Sequence, residues 1–198
     1  MSRTRLLLLA LPALLLSACS GESARTPSPE PVVTAEPEAM LPTPFTAPQI
    51  QAAMKPGLEI RFEILAGERP KVISVWSVLG NEDAGLRFEQ STVAADGSTV
   101  LEGPKTGPAT PWEELRRHAE FPSGNTERRE APVSIPTLGT FDGWLYTRTE
   151  SDGDQTTVST FHFAKDLPGP PVVMTTDIDG VRQMQMTMVR RSGLGDAN

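Results

Sequence analysis

Residues 58–79 read LEIRFEILAGERPKVISVWSVL. Leu58, Ile60, Phe62 and Ile64 alternate with Glu59, Arg61 and Glu63. Successive side chains of a strand point to opposite faces, so this alternation predicts a half-buried β-strand rather than a helix. Ala66-Gly67-Glu68-Arg69-Pro70 then supplies turn residues. Residues 71–79 are apolar on both faces, which predicts a strand inside a sheet rather than at its edge.

The same pattern runs outward to the end of the chain. Residues 84–93 alternate through Leu86, Phe88 and Gln90. Asp96-Gly97 is a strong hairpin dipeptide, and residues 98–102 return from it. Further strands are expected over 126–135, 140–150, 155–164, 171–177 and 181–190, with turn residues at 151–154, 165–171 and Asp179-Gly180. Consecutive strands with short connections make an antiparallel meander. The expected fold is mainly β: a curved antiparallel sheet or half-barrel of about nine strands, curled to hide its edges, with one or two short helices. One helix is expected over 46–54, where Thr46 and Gln49 stand at capping-box spacing and Lys55-Pro56-Gly57 ends it. The other covers 111–119, with Thr110 and Glu113 as its capping box and Pro111 in the first turn. Residues 46–198 are read as a single domain.

Upstream the composition changes. Arg3 and Arg5 precede an apolar run over residues 6–16, followed by Ser17 and Ala18. This is the layout of a signal peptide, and the run is shorter than the roughly 20 residues that span a bilayer. Cys19, the only cysteine of the chain, follows at once. Leu16-Ser17-Ala18-Cys19 resembles the lipobox of bacterial lipoproteins. That resemblance implies removal of residues 1–18, lipidation of Cys19 and anchoring to a membrane by acyl chains; several chains together hold a protein where one is marginal. Ser20, in place of an aspartate, implies sorting to the periplasmic face of the outer membrane. Residues 19–45 are rich in Pro and Glu, too poor in apolar groups to offset their ordering entropy, and read as a disordered tether.

The formal net charge of −7 makes nucleic acid a poor partner, because phosphate neutralisation dominates that affinity. Signal removal takes away two arginines and no acid, so the mature chain is more acidic still. No HExxH, GxSxG or GxGxxG occurs. Residues 80–87, GNEDAGLR, have P-loop glycine spacing but lack the lysine and carry two acids. Asp177, Asp179 and Gly180 resemble half a calcium loop without its closing glutamate, and read as a hairpin turn. His118 and His162 are far apart in sequence and read as structural or exposed. No enzyme, cofactor or metal is therefore expected.

Met184, Met186 and Met188 share one strand face, about 7 Å from one to the next, and Met174 is placed to join them. Core packing is the plainest reading. The stripe also suits an adaptable apolar cavity, because methionine is flexible and polarizable; a remote third reading is a Cu(I) site of soft thioethers. Trp144 and Tyr146 share a face of another strand, and Trp112 opens the second helix. Together with the methionines these aromatics are the candidate ligand-binding residues, though ordinary core packing accounts for them as well.

The plan from residue 55 to 191 resembles the periplasmic half-barrel lipoproteins of the LolA/LolB type. Lys55-Pro56-Gly57 before the first strand, and the phrases GTFDGWLYTRT (139–149) and TFHFAKDLPGPPVVM (160–174), are also similar to TapB-type envelope proteins. The resemblance implies a concave sheet that holds a lipid or other apolar ligand, and no catalytic residue. A structural or interaction protein of the envelope with a filled core is the alternative. The first expects a cavity; the second expects none, with an envelope protein as partner.

Overall fold

The structure is a computed structural model and describes residues 38–193. The signal peptide, Cys19 and the first part of the expected tether lie outside the described residues. Pro37–Asn198 forms a compact unit of its own.

The predicted β architecture is present. The elements are α1 (Ala47–Ala53), β1 (Glu59–Ala66), β2 (Val72–Glu82), β3 (Gly85–Ala94), β4 (Val100–Thr106), α2 (Trp112–Arg117), β5 (Thr126–Glu130), β6 (Val133–Ile135), β7 (Gly139–Phe141), β8 (Gly143–Asp152), β9 (Gln155–Ala164), β10 (Val173–Ile178) and β11 (Val181–Ser192). Nine strands form one antiparallel sheet in the order β4-β3-β2-β1-β11-β10-β9-β8-β5, and β6 and β7 pair separately. Two meanders thus run outward from a central seam, where the first strand pairs with the last. The sheet is half-barrel-like and open, because β4 and β5 do not meet.

The alternation in β1 has the expected consequence. Ile60 and Phe62 are fully buried, while Glu59, Arg61 and Glu63 stay partly exposed. Each such apolar side chain contributes about 1.5–3 kcal/mol on burial. The buried face carries Phe62, Val78, Tyr146, Phe163 and Met188, and α1 with residues 40–45 lies against it. The edge strands differ from the interior: β4 is exposed along its whole length, and β5 is a short TERRE segment. Charge, brevity and Pro104 disfavour further pairing there.

Four expectations need correction. The segment 126–135 is two strands, because Ala131-Pro132 breaks it and proline cannot donate to a ladder. The segment 140–150 likewise divides at Asp142, and its first part joins the β6–β7 hairpin. Thr110 does not cap α2. Its backbone exchanges two 2.8 Å hydrogen bonds with Leu86, and Pro111 holds the N-cap position without a side-chain bond. Finally, residues 40–45, assigned to the tether, belong to the fold: Leu41 N donates to Phe121 O at 2.8 Å, and Phe45 is 5% exposed. By contrast the Thr46–Gln49 capping box on α1 is complete.

Candidate functional site

An antiparallel partner directly opposite shares the face of its neighbour. On the buried side this rule brings together Tyr146, Phe161, Met174, Met186 and Ile64 across five strands. Ile60, Trp76 and Gln90 form the same kind of row on the other half of the sheet. Two aromatic groups result. Phe62 meets Trp76 edge-on with centroids 5.0 Å apart, and Trp76 stacks on Phe88 at 5.4 Å. Phe45, Phe121, Tyr146, Phe161 and Phe163 form the second, at 4.8–6.1 Å.

Between these groups the sheet is not filled. A cavity of about 420 Å3 is walled by Trp76 and Phe88 on one side and Phe161 and Phe163 on the other. Met174 and Met186, which are cross-strand partners, supply more of the sheet surface. Ile50 and Met54 of the α1 region, Leu115, His118 and Ala119 of the α2 region, and Gly169, Pro170 and Pro171 cover it. The volume lies within the roughly 300–1,000 Å3 of small-molecule sites. Polar groups on the lining are few: the Trp76 indole, Thr110, and His118 at the exposed rim.

The position of α2 depends on a close backbone approach. Gly85 (φ +140°) lies against Thr110, so near that a Cβ there would sit 2.1 Å from the Thr110 carbonyl oxygen. Trp112 then donates from Nε1 to Glu82 O at 2.9 Å and anchors the helix start.

Of the residues singled out from sequence, Met186 and its neighbour Met174 line the cavity. Met188 is fully buried in the core, and Met184 is half-buried outside the lining. Trp112 is core, at 8% exposure. Tyr146 is fully buried; its hydroxyl accepts from Arg128 Nε at 3.0 Å and donates to Pro42 O. Burial pushes its pKa up, opposed by Arg128. Trp144 carries Arg128 on its ring at 3.8 Å and Lys165 at 4.3 Å, so cations occupy its surface. Trp76, Phe88, Phe161, Phe163 and His118 line the site without having been singled out. Trp76 had a legible signal, being the large aromatic in an interior strand.

A second cleft, of about 490 Å3, lies on the opposite face beside the β6–β7 hairpin. Its lining mixes Glu63, Ser134, His162, Gln185 and Thr187 with apolar groups. His162 Nε2 is buried there and, among the described residues, has no hydrogen-bond partner. Desolvation, and secondarily Arg129, lower its pKa below 6.5. Among the described residues no group of three His, Cys, Asp or Glu side chains is placed to hold a metal. Comparison of the sequence with protein-family models and with curated proteins finds no match in either.

Proposed function

We propose that the protein is a membrane-anchored lipoprotein of the cell envelope whose folded domain is a non-catalytic binding module for a lipid or another apolar ligand. The observation that carries this reading is the apolar cavity between Trp76 and Phe161. Apolar surface facing water is unfavourable, and an apolar ligand seated against this lining removes it from water. Three methionines, Met54, Met174 and Met186, line the cavity and allow the wall to adapt to chains of differing shape. The anchor is Cys19, supported by the lipobox-like 16–19 segment, and the address is the periplasmic face of the outer membrane, supported by Ser20 after it. A structural or interaction protein of the envelope is the alternative; it leaves the apolar cavity without a use.

A second reading, Cu(I) binding, has one observation in its favour. Met54, Met174, Met186 and His118 line the same cavity, and thioether and imidazole suit that ion.

The test has two parts. Cys19→Ser should move the protein from the membrane fraction to the soluble fraction; retention at the membrane refutes the anchor. An apolar fluorescent probe should bind the chain from residue 20 onward and be displaced by acyl lipids. It should not bind Met186→Trp, in which the indole fills the cavity. Displacement by Cu(I) but not by lipid would favour the second reading.

A further inference from the structure

Strict alternation from Met184, Met186 and Met188 would place residue 190 on the buried face and Arg191 on the outer one. The structure reverses this. Phe62 pairs with Met188, Arg61 with Arg190 and Ile60 with Arg191, so Val189 is an extra residue on β11. This bulge turns Arg191 onto the face of Ile60 and Trp76. Bulges commonly re-aim a side chain at functional sites. The bulge is held from outside, where Thr137 Oγ1 donates to Val189 O at 2.7 Å.

Arg191 is thereby carried under the cover of the sheet. Its Nη2 donates to Ala53 O at 3.3 Å and to Pro168 O at 3.1 Å. Its Nη1 is buried and, among the described residues, has no hydrogen-bond partner. Among the described residues no carboxylate forms an ion pair with it. Desolvation lowers its pKa, but a guanidinium remains charged. A desolvated charge without an opposite partner is destabilising and calls for one.

The free nitrogen stands just behind the cavity wall. A Cβ built on Gly169 would lie 3.7 Å from Arg191 Nη1 and 3.2 Å from Met54 Sδ. Gly169 and Met54 both line the cavity. Met54 Sδ and Arg191 Nη1 thus both approach Gly169 at the cavity margin, and a methionine side chain moves aside at little cost. Resting on the apolar-cavity reading above, we propose that Arg191 is the head-group subsite of this cavity: it pairs with the anionic head, carboxylate or phosphate, of a single-chain amphiphile whose tail lies between Trp76 and Phe161. Arginine suits both heads, because its fixed N–H donors match carboxylate and phosphate oxygens.

Titration calorimetry with three probes of equal chain length, each below its micelle-forming concentration, tests this on the chain from residue 20 onward. Dodecanoate or dodecyl phosphate should bind at least about tenfold more tightly than dodecanol, as a charge-assisted hydrogen bond requires. The tighter of the two anions identifies a fatty acid or a phospholipid-type head. The preference should vanish in Arg191→Met, which keeps side-chain length, and partly return in Arg191→Lys. In the unmutated protein the Arg191 guanidinium 15N signals should shift with the preferred anion and not with dodecanol, a readout that needs no variant. Equal binding of all three probes overturns the head-group assignment and leaves the cavity standing. Absence of binding by any probe overturns both.

Discussion

Gly85→Ala should cost about 2–6 kcal/mol of stability, worked from two terms. The first is conformational: φ is +140° at this position, and an L side chain held in a sparsely populated region costs about 1–3 kcal/mol. The second is contact. The new Cβ would stand 2.1 Å from Thr110 O, 2.6 Å from Thr110 C and 2.9 Å from Pro111 Cα, all backbone atoms that cannot swing away. The 110–111 segment must retreat, breaking the two 2.8 Å bonds between Leu86 and Thr110. Each contributes about 0.5–1.5 kcal/mol. Gly97→Ala is the control. It also has positive φ (+75°) but nothing within 4 Å, so it should cost only about 1–2 kcal/mol. Urea unfolding at unchanged m separates the two. Because Thr110, Leu115, His118 and Ala119 line the cavity, Gly85→Ala should also weaken ligand binding, and Gly97→Ala should not. A Gly85→Ala loss below about 1 kcal/mol, or no larger than that of Gly97→Ala, would refute the close-approach argument.

Three other predictions follow from the same structure. Tyr146→Phe leaves Pro42 O and Arg128 Nε without their hydroxyl partner; it should cost about 1–2 kcal/mol and expose residues 40–45 to faster hydrogen exchange, measured by mass spectrometry. Trp76→Ala removes a cavity wall and should abolish binding of the apolar probe, whereas Trp144→Ala, at a residue that packs on the core and carries Arg128 and Lys165 but does not line the cavity, should leave probe affinity unchanged. His162 is held neutral by its surroundings, with its pKa lowered from 6.5. The unfolded chain therefore binds the proton first as pH falls. The stability tied to this group is present above about pH 6.5 and is lost as pH falls toward the lowered folded value. Thermal unfolding from about pH 7 to 5 should show a shallower decline in His162→Gln than in the unmutated protein.

The β architecture was legible because its signal is local. Ile60 and Phe62 alternate with charges, and Thr46 with Gln49 forms the capping box that the spacing indicates. The breaks at Pro132 and Asp142 carried local signals too, but their effect depends on where the small β6–β7 hairpin docks. Thr110 satisfied the capping pattern and lost it to a tertiary contact, since Leu86 offered its backbone a better pair of partners. Met186 was placed on the right strand face by alternation alone, yet the same alternation put Met184 and Met188 beside it. Only the position of the covering helices distinguishes a lining methionine from a core one. Arg191 was the least legible. A single extra residue at Val189 inverts the face of everything after it, and nothing in the run MVRRS announces the bulge.

Whether the cavity holds an acyl chain is decided by the native mass of the protein expressed from residue 20 onward and purified without detergent, before and after incubation with envelope lipids. A discrete acyl-bearing adduct that organic extraction removes, and that Met186→Trp does not carry, is the expected result. A mass that stays equal to the bare polypeptide after lipid incubation, in a protein whose unfolding remains cooperative, would contradict it.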